Sequence, residues 1–152
     1  MLNQLLLARH VPALLPREKM LEILQREEYG FLPPAPESLV FSAPQEHIPS
    51  FCAGKATCCR VVASGMLNGR EFAFPFYVTL PTDGKKHPFF LHINFRDDNP
   101  DRYQPTEELI DNGFALLSFC YNDVTRDDGD FTDGLAGCLY PDGKRTADSP
   151  GK

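Results

Sequence analysis

Four aspartates crowd one short segment, Asp127, Asp128, Asp130 and Asp133 in "RDDGDFTDG". Carboxylates at alternate positions suit a calcium loop, which also needs a glycine at its sixth place and a glutamate at its twelfth. Counted from Asp128, Asp130 fits the pattern. Thr132 then takes the fifth place, Asp133 displaces the glycine and Leu139 stands where the glutamate belongs. The segment reads as a solvated or helix-capping loop, and no metal is expected there. Nucleophilic catalysis needs an activated Ser or Cys beside a base. The serines are Ser38, Ser42, Ser50, Ser64, Ser118 and Ser149, and none lies in the G-x-S-x-G turn that exposes a hydroxyl. Ser64 precedes a hairpin, while Ser118 and Cys120 fall inside an apolar run, where a thiol is buried and inert. Of His10, His47, His87 and His92, only His92 sits within a dry strand. A lone strand histidine reads as a hydrogen-bonded core residue, since catalysis would need a carboxylate and a nucleophile in reach. No triad can be written, so no catalytic residue is expected within this chain. A self-contained enzyme built on His92, Cys120 or the acid loop is the weakest reading.

One further stretch could hold a ligand. In "HPFFLHINFRDDNPDRY", residues 87–103, an apolar run ends abruptly in Asn94-Phe95-Arg96 and then in acids. That is the pattern of a buried strand ending at a polar rim.

The elements that must position this rim can be read from periodicity. The chain has 152 residues, enough for one domain that buries roughly two-thirds of its unfolded surface. Fifteen basic residues face 21 acidic ones, and no basic stripe exists, which argues against nucleic acid as a partner. Five cysteines, an odd number, do not make a disulfide framework, and neither a C-x-x-C pair nor a Cys/His cluster offers a zinc site. Cys52, Cys58, Cys59, Cys120 and Cys138 read as reduced thiols of a cytoplasmic protein. The amino terminus lacks the basic leader and cleavage site of a signal peptide and reads as a short helix. No apolar segment approaches membrane-spanning length.

"LPREKMLEILQREEYGFLPP" predicts a helix that starts at Pro16, places Met20, Leu21 and Leu24 on one side and stops at Gly30. Pro33 to Pro49 reads as a long connector, with room for a short strand at Leu39-Val40-Phe41. "TCCRVVASG" and "REFAFPFYVTLP", joined by Asn68-Gly69, predict a hairpin. In its second strand Phe72, Phe74, Phe76, Val78 and Leu80 alternate with Glu71, Ala73, Pro75, Tyr77 and Thr79, a period of two. Pro75 has no N–H to donate, so a bulge or an unpaired position is expected there. Then come an apolar strand at Phe89–Phe95, a short helix opened by Pro105, Glu107 and Glu108 and closed by Gly113, and a second apolar strand, "FALLSFCY". Two dry strands around a helix predict a parallel, right-handed βαβ unit with both faces covered. The tail after Asn122 reads as loop.

The order of these elements, with "HINFR", "NGFALLSFCYNDVTRDDGDF", "LYPDGKR" and "REKMLEILQREEYGFLPPAP", resembles the front half of an α/β-hydrolase. The nearer likeness is to the bacterial carbohydrate esterases of the acetyl-xylan-esterase and glucuronoyl-esterase type, over roughly residues 16–147. The resemblance implies an α/β fold, the N-terminal half of a hydrolase sheet, with an antiparallel hairpin followed by a parallel βαβ unit, incomplete. It divides the chain into N-terminal helices (1–32), a Pro-rich arm (33–56), a partial hydrolase sheet (57–126) and an acidic, loop-rich tail (127–152) leading to a missing nucleophile half.

The function implied is that of the N-terminal portion of a serine ester hydrolase acting on carbohydrate esters, with no cofactor. In that fold the turn after the first parallel strand supplies an oxyanion-hole N–H. Here it maps to Asn94, Phe95 and Arg96, with the Phe95 or Arg96 amide as donor. The nucleophile, acid and histidine of that family have no matching positions. The alternative is a non-catalytic binding or assembly module. If Phe89–Phe95 lies beside a strand beyond the C-terminus, one apolar edge is unpaired and a helix layer missing. Homo-oligomerisation, aggregation or pairing with a missing C-terminal half is the expected consequence.

Overall fold

The computed structural model describes residues 4, 8, 9, 15–146 and 148–151. Most of the amino-terminal stretch expected to be a short helix therefore lies outside the described residues. The chain divides into two compact units, Met1–Pro34 with Arg145–Lys152, and Ala35–Lys144.

In the first unit, helix α1 spans Arg17–Leu24 and runs into a π-helical turn, Gln25–Tyr29. Pro16 precedes it with extended ψ (146°), and the Pro16 carbonyl accepts the first helical bond from Met20 N at 3.0 Å. Gly30, at φ 75°, ends the helix, a left-handed position that a side chain would resist. The expected apolar stripe is present but uncovered, since no residue of α1 is buried. Phe31 then pairs in parallel with Pro150, with Gly151 N donating to Phe31 O at 2.8 Å.

The second unit is built on a six-stranded sheet of order β1–β3–β4–β6–β5, with β2 also paired to β3. The strands are β1 Ser38–Phe41, β2 Gln45–Phe51, β3 Ala56–Leu67, β4 Arg70–Pro81, β5 Phe89–Asn94 and β6 Ala115–Cys120. The hairpin β3–β4 is as expected. Asn68 and Gly69 both take positive φ (52° and 68°), the mirror-image turn that matches strand twist. Its register is unbroken from Leu67↔Arg70 to Ala56↔Pro81, so Pro75 makes no bulge. Opposite it, Val62 turns both backbone groups the other way, bonding Ser42 N at 2.9 Å and Ser42 Oγ at 3.0 Å. Pro75 therefore occupies a non-hydrogen-bonded pair. On its other side β4 meets β6 only over Tyr77–Thr79. The proline sits where its missing donor is not needed.

The connector also holds more than the one short strand. Both β1 and β2 pair antiparallel with β3, and Pro49 is tolerated in β2 because that strand has a free side.

β5 and β6 are parallel, joined through helix α2, Thr106–Asp111, which ends at Asn112 before Gly113 at φ 78°. β6 is buried at Ala115, Leu116, Ser118 and Cys120. A short helix, α3 (Tyr121–Val124), follows directly. The expected loop tail contains a further helix, α4, Gly134–Leu139. Cys138 of α4 joins Leu67 and Phe72 in a buried cluster, with Phe74, Leu135 and Leu139 packed around it.

The covering on both faces that the apolar composition of β5 suggests is not found, since Phe89, Phe90, Leu91 and Ile93 are all exposed. The unpaired edge that the resemblance implies is found: β5 pairs with β6 alone. It is an edge strand with an interior strand's composition.

Candidate functional site

The carboxyl ends of β5 and β6 lie side by side, with Asn94 opposite Cys120. In open α/β sheets this end is where ligands are held. The three residues singled out at the rim, Asn94, Phe95 and Arg96, are placed in three different ways.

Asn94 points inward and is fully buried. Its Nδ2 donates to Asn99 Oδ1, while its Oδ1 has no partner. Asn99 in turn donates to the Asp97 carbonyl at 3.3 Å, and its own carbonyl accepts a 3.0 Å contact from His47 Nε2 on β2. The His47 ring lies 4.8 Å from that of Tyr77 on β4. These contacts tie the turn after β5 to the antiparallel half of the sheet. Phe95 points outward, 85% exposed, with its ring 5.5 Å from Tyr121 of α3. Arg96 reaches across the turn to Asp101, and its guanidinium lies 4.6 Å over the Tyr103 ring. Its backbone N–H donates to no acceptor among the described residues.

The electrostatics of the rim are divided. Asp101 accepts from Tyr103 N at 2.9 Å, and that bond together with Arg96 holds its carboxyl below the usual range. Asp123 goes the other way. Burial, aided by nearby Asp97 and opposed by Arg60, pushes its carboxyl up. A cavity of about 590 Å³ opens here, lined by Phe95, Arg96, Asp97, Asp98, Cys120 and Asp123 among others. Arg96 brings to this open volume an N–H with no acceptor among the described residues, and cations and carboxylates line it.

The other candidates do not assemble. Asp128 and Asp130 accept backbone N–H groups of their own loop at 2.9 Å, and Arg126 is paired with Asp128 and Asp133. Among the described residues no three His, Cys, Asp or Glu side chains come together as a metal site would require. His92 and Ser118 are neighbours across β5 and β6, a proximity not foreseen. Ser118 is 1% exposed and its hydroxyl makes no hydrogen bond, so His92 does not activate it. His92 itself was expected to be hydrogen-bonded in the core. It is half-buried instead, lines a cavity of about 450 Å³ with Phe90, Leu109 and Leu116, and lies near Asp101. Cys120 is buried as expected, and the cysteines are free thiols.

Residues that sequence reasoning missed are Asn99, Asp101, Tyr103 and Asp123. The pre-proline Asn99 was the available signal, because an Asn-Pro step marks a turn. The long-range partners His47 and Tyr77 had none.

A mixed sheet in which an antiparallel hairpin feeds a parallel βαβ unit, in the order observed, has the fold of part of an α/β-hydrolase sheet. Solved structures bear this out. The glucuronoyl esterase from Solibacter usitatus superposes with a TM-score of 0.62 at 19% identity, covering 88% of this chain and 43% of that one. A promiscuous CE15 esterase from a marine bacterial metagenome gives 0.58 at 16% identity, covering 86% and 41%. A CE15 glucuronoyl esterase from Teredinibacter turnerae gives 0.59 at 19% identity, covering 88% and 37%. The chain thus spans about two-fifths of the length of these structures and shares their fold. No protein-family model matches the chain, and no curated protein matches it in sequence. Among the described residues no helix is long and apolar enough to cross a membrane.

Proposed function

We propose that this chain is the rim-bearing portion of a serine carboxylic-ester hydrolase acting on carbohydrate esters, and that Asn94–Arg96 is its oxyanion turn. The observation that carries the reading is the Arg96 N–H, unpaired at the carboxyl end of a parallel strand and beside an open cavity. An ester carbonyl becomes an oxyanion when attacked, and a pre-positioned N–H stabilises that charge more than the ground-state carbonyl. Phe95 and Arg96 are the donor positions. Asn94 holds the turn through Asn99 rather than facing the ligand. The attacking group, its base and the second donor come from outside this chain's candidate residues. The glucuronoyl esterases that share the fold motivate a uronic-acid ester as the first substrate to try.

The test is reconstitution. This chain is combined with the part of the Solibacter usitatus enzyme beyond the shared region, and hydrolysis of a glucuronate methyl ester is followed. Arg96→Pro removes the N–H and lowers kcat by about 10²–10³-fold, while Arg96→Ala keeps the N–H and stays within a few-fold. Equal losses in the two variants, with both folded by circular dichroism, would discard the oxyanion assignment. Hydrolysis by neither the pair nor the chain alone would discard the esterase reading.

A further inference from the structure

Strand β2 changes face at His47. Glu46 pairs with Cys59 and Ile48 with Cys58, so two steps along β2 match one step along β3. Successive residues of a strand point to opposite faces. His47 is therefore the extra residue of a β-bulge, a device that turns a side chain out of the regular alternation. The turned ring lies 4.8 Å from that of Tyr77 on β4. Register carries the Tyr77 face across the sheet to Ser118 and then to His92. Asn94, two residues beyond His92, points to the same side. The bulge thus sets a β2 side chain on the face into which the end of β5 turns.

His47 Nε2 stands 3.0 Å from the Asn99 carbonyl. A carbonyl can only accept, so Nε2 carries the proton. Asn99 is buried and joins three groups. Its carbonyl accepts from His47, its Oδ1 accepts from Asn94, and its Nδ2 donates to the Asp97 carbonyl at 3.3 Å. Phe95 and Arg96 lie between the ends of this clamp. Asn94 ties the loop to its own strand, and His47 ties it to a second strand in the antiparallel half of the sheet. Two separate anchors remove the hinge motion that one would allow. His47 is itself exposed, so replacing it removes little core packing. We infer that His47 is a positioning residue for the oxyanion turn, holding the Arg96 N–H in place through Asn99. The inference deepens the oxyanion reading and rests on it. A donor stabilises an oxyanion to the extent that it is fixed before the charge forms.

Two variants separate the N–H from the ring. His47→Phe keeps a ring against Tyr77 and loses the donor. His47→Gln loses the ring and keeps a donor of similar reach. In the reconstituted pair, His47→Phe should lower kcat roughly 10- to 100-fold. KM should stay within about two-fold, since the N–H acts in the transition state. His47→Gln should recover most of the loss. Apart from turnover, nitrogen relaxation on the full 152-residue chain reads the Arg96 amide directly. Its order parameter should be about 0.85 in the native chain and in His47→Gln, and below about 0.6 in His47→Phe, with the β3–β4 hairpin unchanged. Three results each overturn the positioning role: equal kcat in the native and His47→Phe pairs, equal losses in the two variants, or an Arg96 amide as ordered in His47→Phe as in the native chain. No hydrolysis by the native pair removes the ester reading instead, and the amide measurement then decides whether His47 fixes the turn.

Discussion

Arg96 Nη1 stands 3.1 Å from Asp101 Oδ2, closing the turn after β5 from one end of the rim loop to the other. The same carboxylate accepts the Tyr103 N–H, so one side chain fixes the loop by charge and by hydrogen bond. With its folded pKa held below the unfolded value, Asp101 stabilises the fold above the ordinary carboxylate range. That contribution is lost as pH falls through the depressed folded value. Thermal melts from pH 5 downward should show a steeper loss in the native chain than in Asp101→Asn. Parallel curves would show that the carboxylate does not anchor the loop.

His87 gives the opposite sign. Its Nδ1 is 2.8 Å from the Gly113 carbonyl and its Nε2 2.8 Å from Asp83 Oδ1, so both nitrogens face acceptors and the imidazolium satisfies both. Asp83 first, then the Gly113 carbonyl, raises its pKa above 6.5. The contact contributes fully below about pH 6.5 and is lost as pH rises through the folded value. Melting temperature should therefore fall across neutral to mildly basic pH, with less slope in His87→Leu. An NMR titration placing the His87 pKa at or below 6.5 would contradict this.

Leu116 and Leu91 lie on neighbouring strands with opposite burial, 1% and 62% exposed. Leu116→Ala should cost about 2–5 kcal/mol in urea unfolding, through lost burial and the cavity left behind. Leu91→Ala should change stability by no more than about 0.5 kcal/mol while reducing binding of a dye to apolar surface. Similar costs at both sites would mean that β5 is covered in solution.

Gly65 of β3 pairs with Leu39 of β1, and a Cβ there would fall on the Ser38 carbonyl. Gly65→Ala should displace β1 at a cost of about 1–3 kcal/mol. Limited proteolysis should open first in the segment 38–44. A variant with native stability and digestion pattern would show that β1 is already loosely held.

Thiol chemistry reports on the core. Cys58, Cys120 and Cys138 are buried, while Cys52 and Cys59 are partly exposed. Burial raises the Cys58 and Cys138 thiols, and the Cys52 thiol too, so it is the exposure of Cys52 and Cys59 that separates the two groups. An aromatic disulfide reagent should modify Cys52 and Cys59 quickly in the native state and all five only in urea. Fast reaction at Cys138 would mean that α4 is not docked on Phe72.

Much of the fold was legible because it depends on neighbours in sequence. The alternation from Phe72 to Leu80 and the Asn68-Gly69 turn specify a hairpin through local geometry. The Pro105–Gly113 helix between two apolar runs specifies a parallel unit. β2 was hidden because Glu46, His47 and Pro49 break any apolar period, and its order comes from pairing with β3. α4 was hidden for a different reason. Gly134 and Gly137 argue against a helix, yet both are required, since a Cβ at either would meet the backbone of Val124 or Thr132. That crowding exists only once α4 is packed.

The sequence alone therefore determined the β3–β4 hairpin and its turn chemistry, the β5–α2–β6 unit and the rim at Asn94–Arg96, because propensity and period act over a few residues. Tertiary structure decided that Asn94 turns inward to Asn99, that Asp101 pairs with Arg96, and that Ser118 beside His92 stays unbonded. It also decided which residues of β5, at the edge the resemblance implied, are left exposed: Phe89, Phe90, Leu91 and Ile93. Apolar composition measures what a strand gains from being covered, while only the arrangement of the whole sheet determines whether a neighbour is there to cover it.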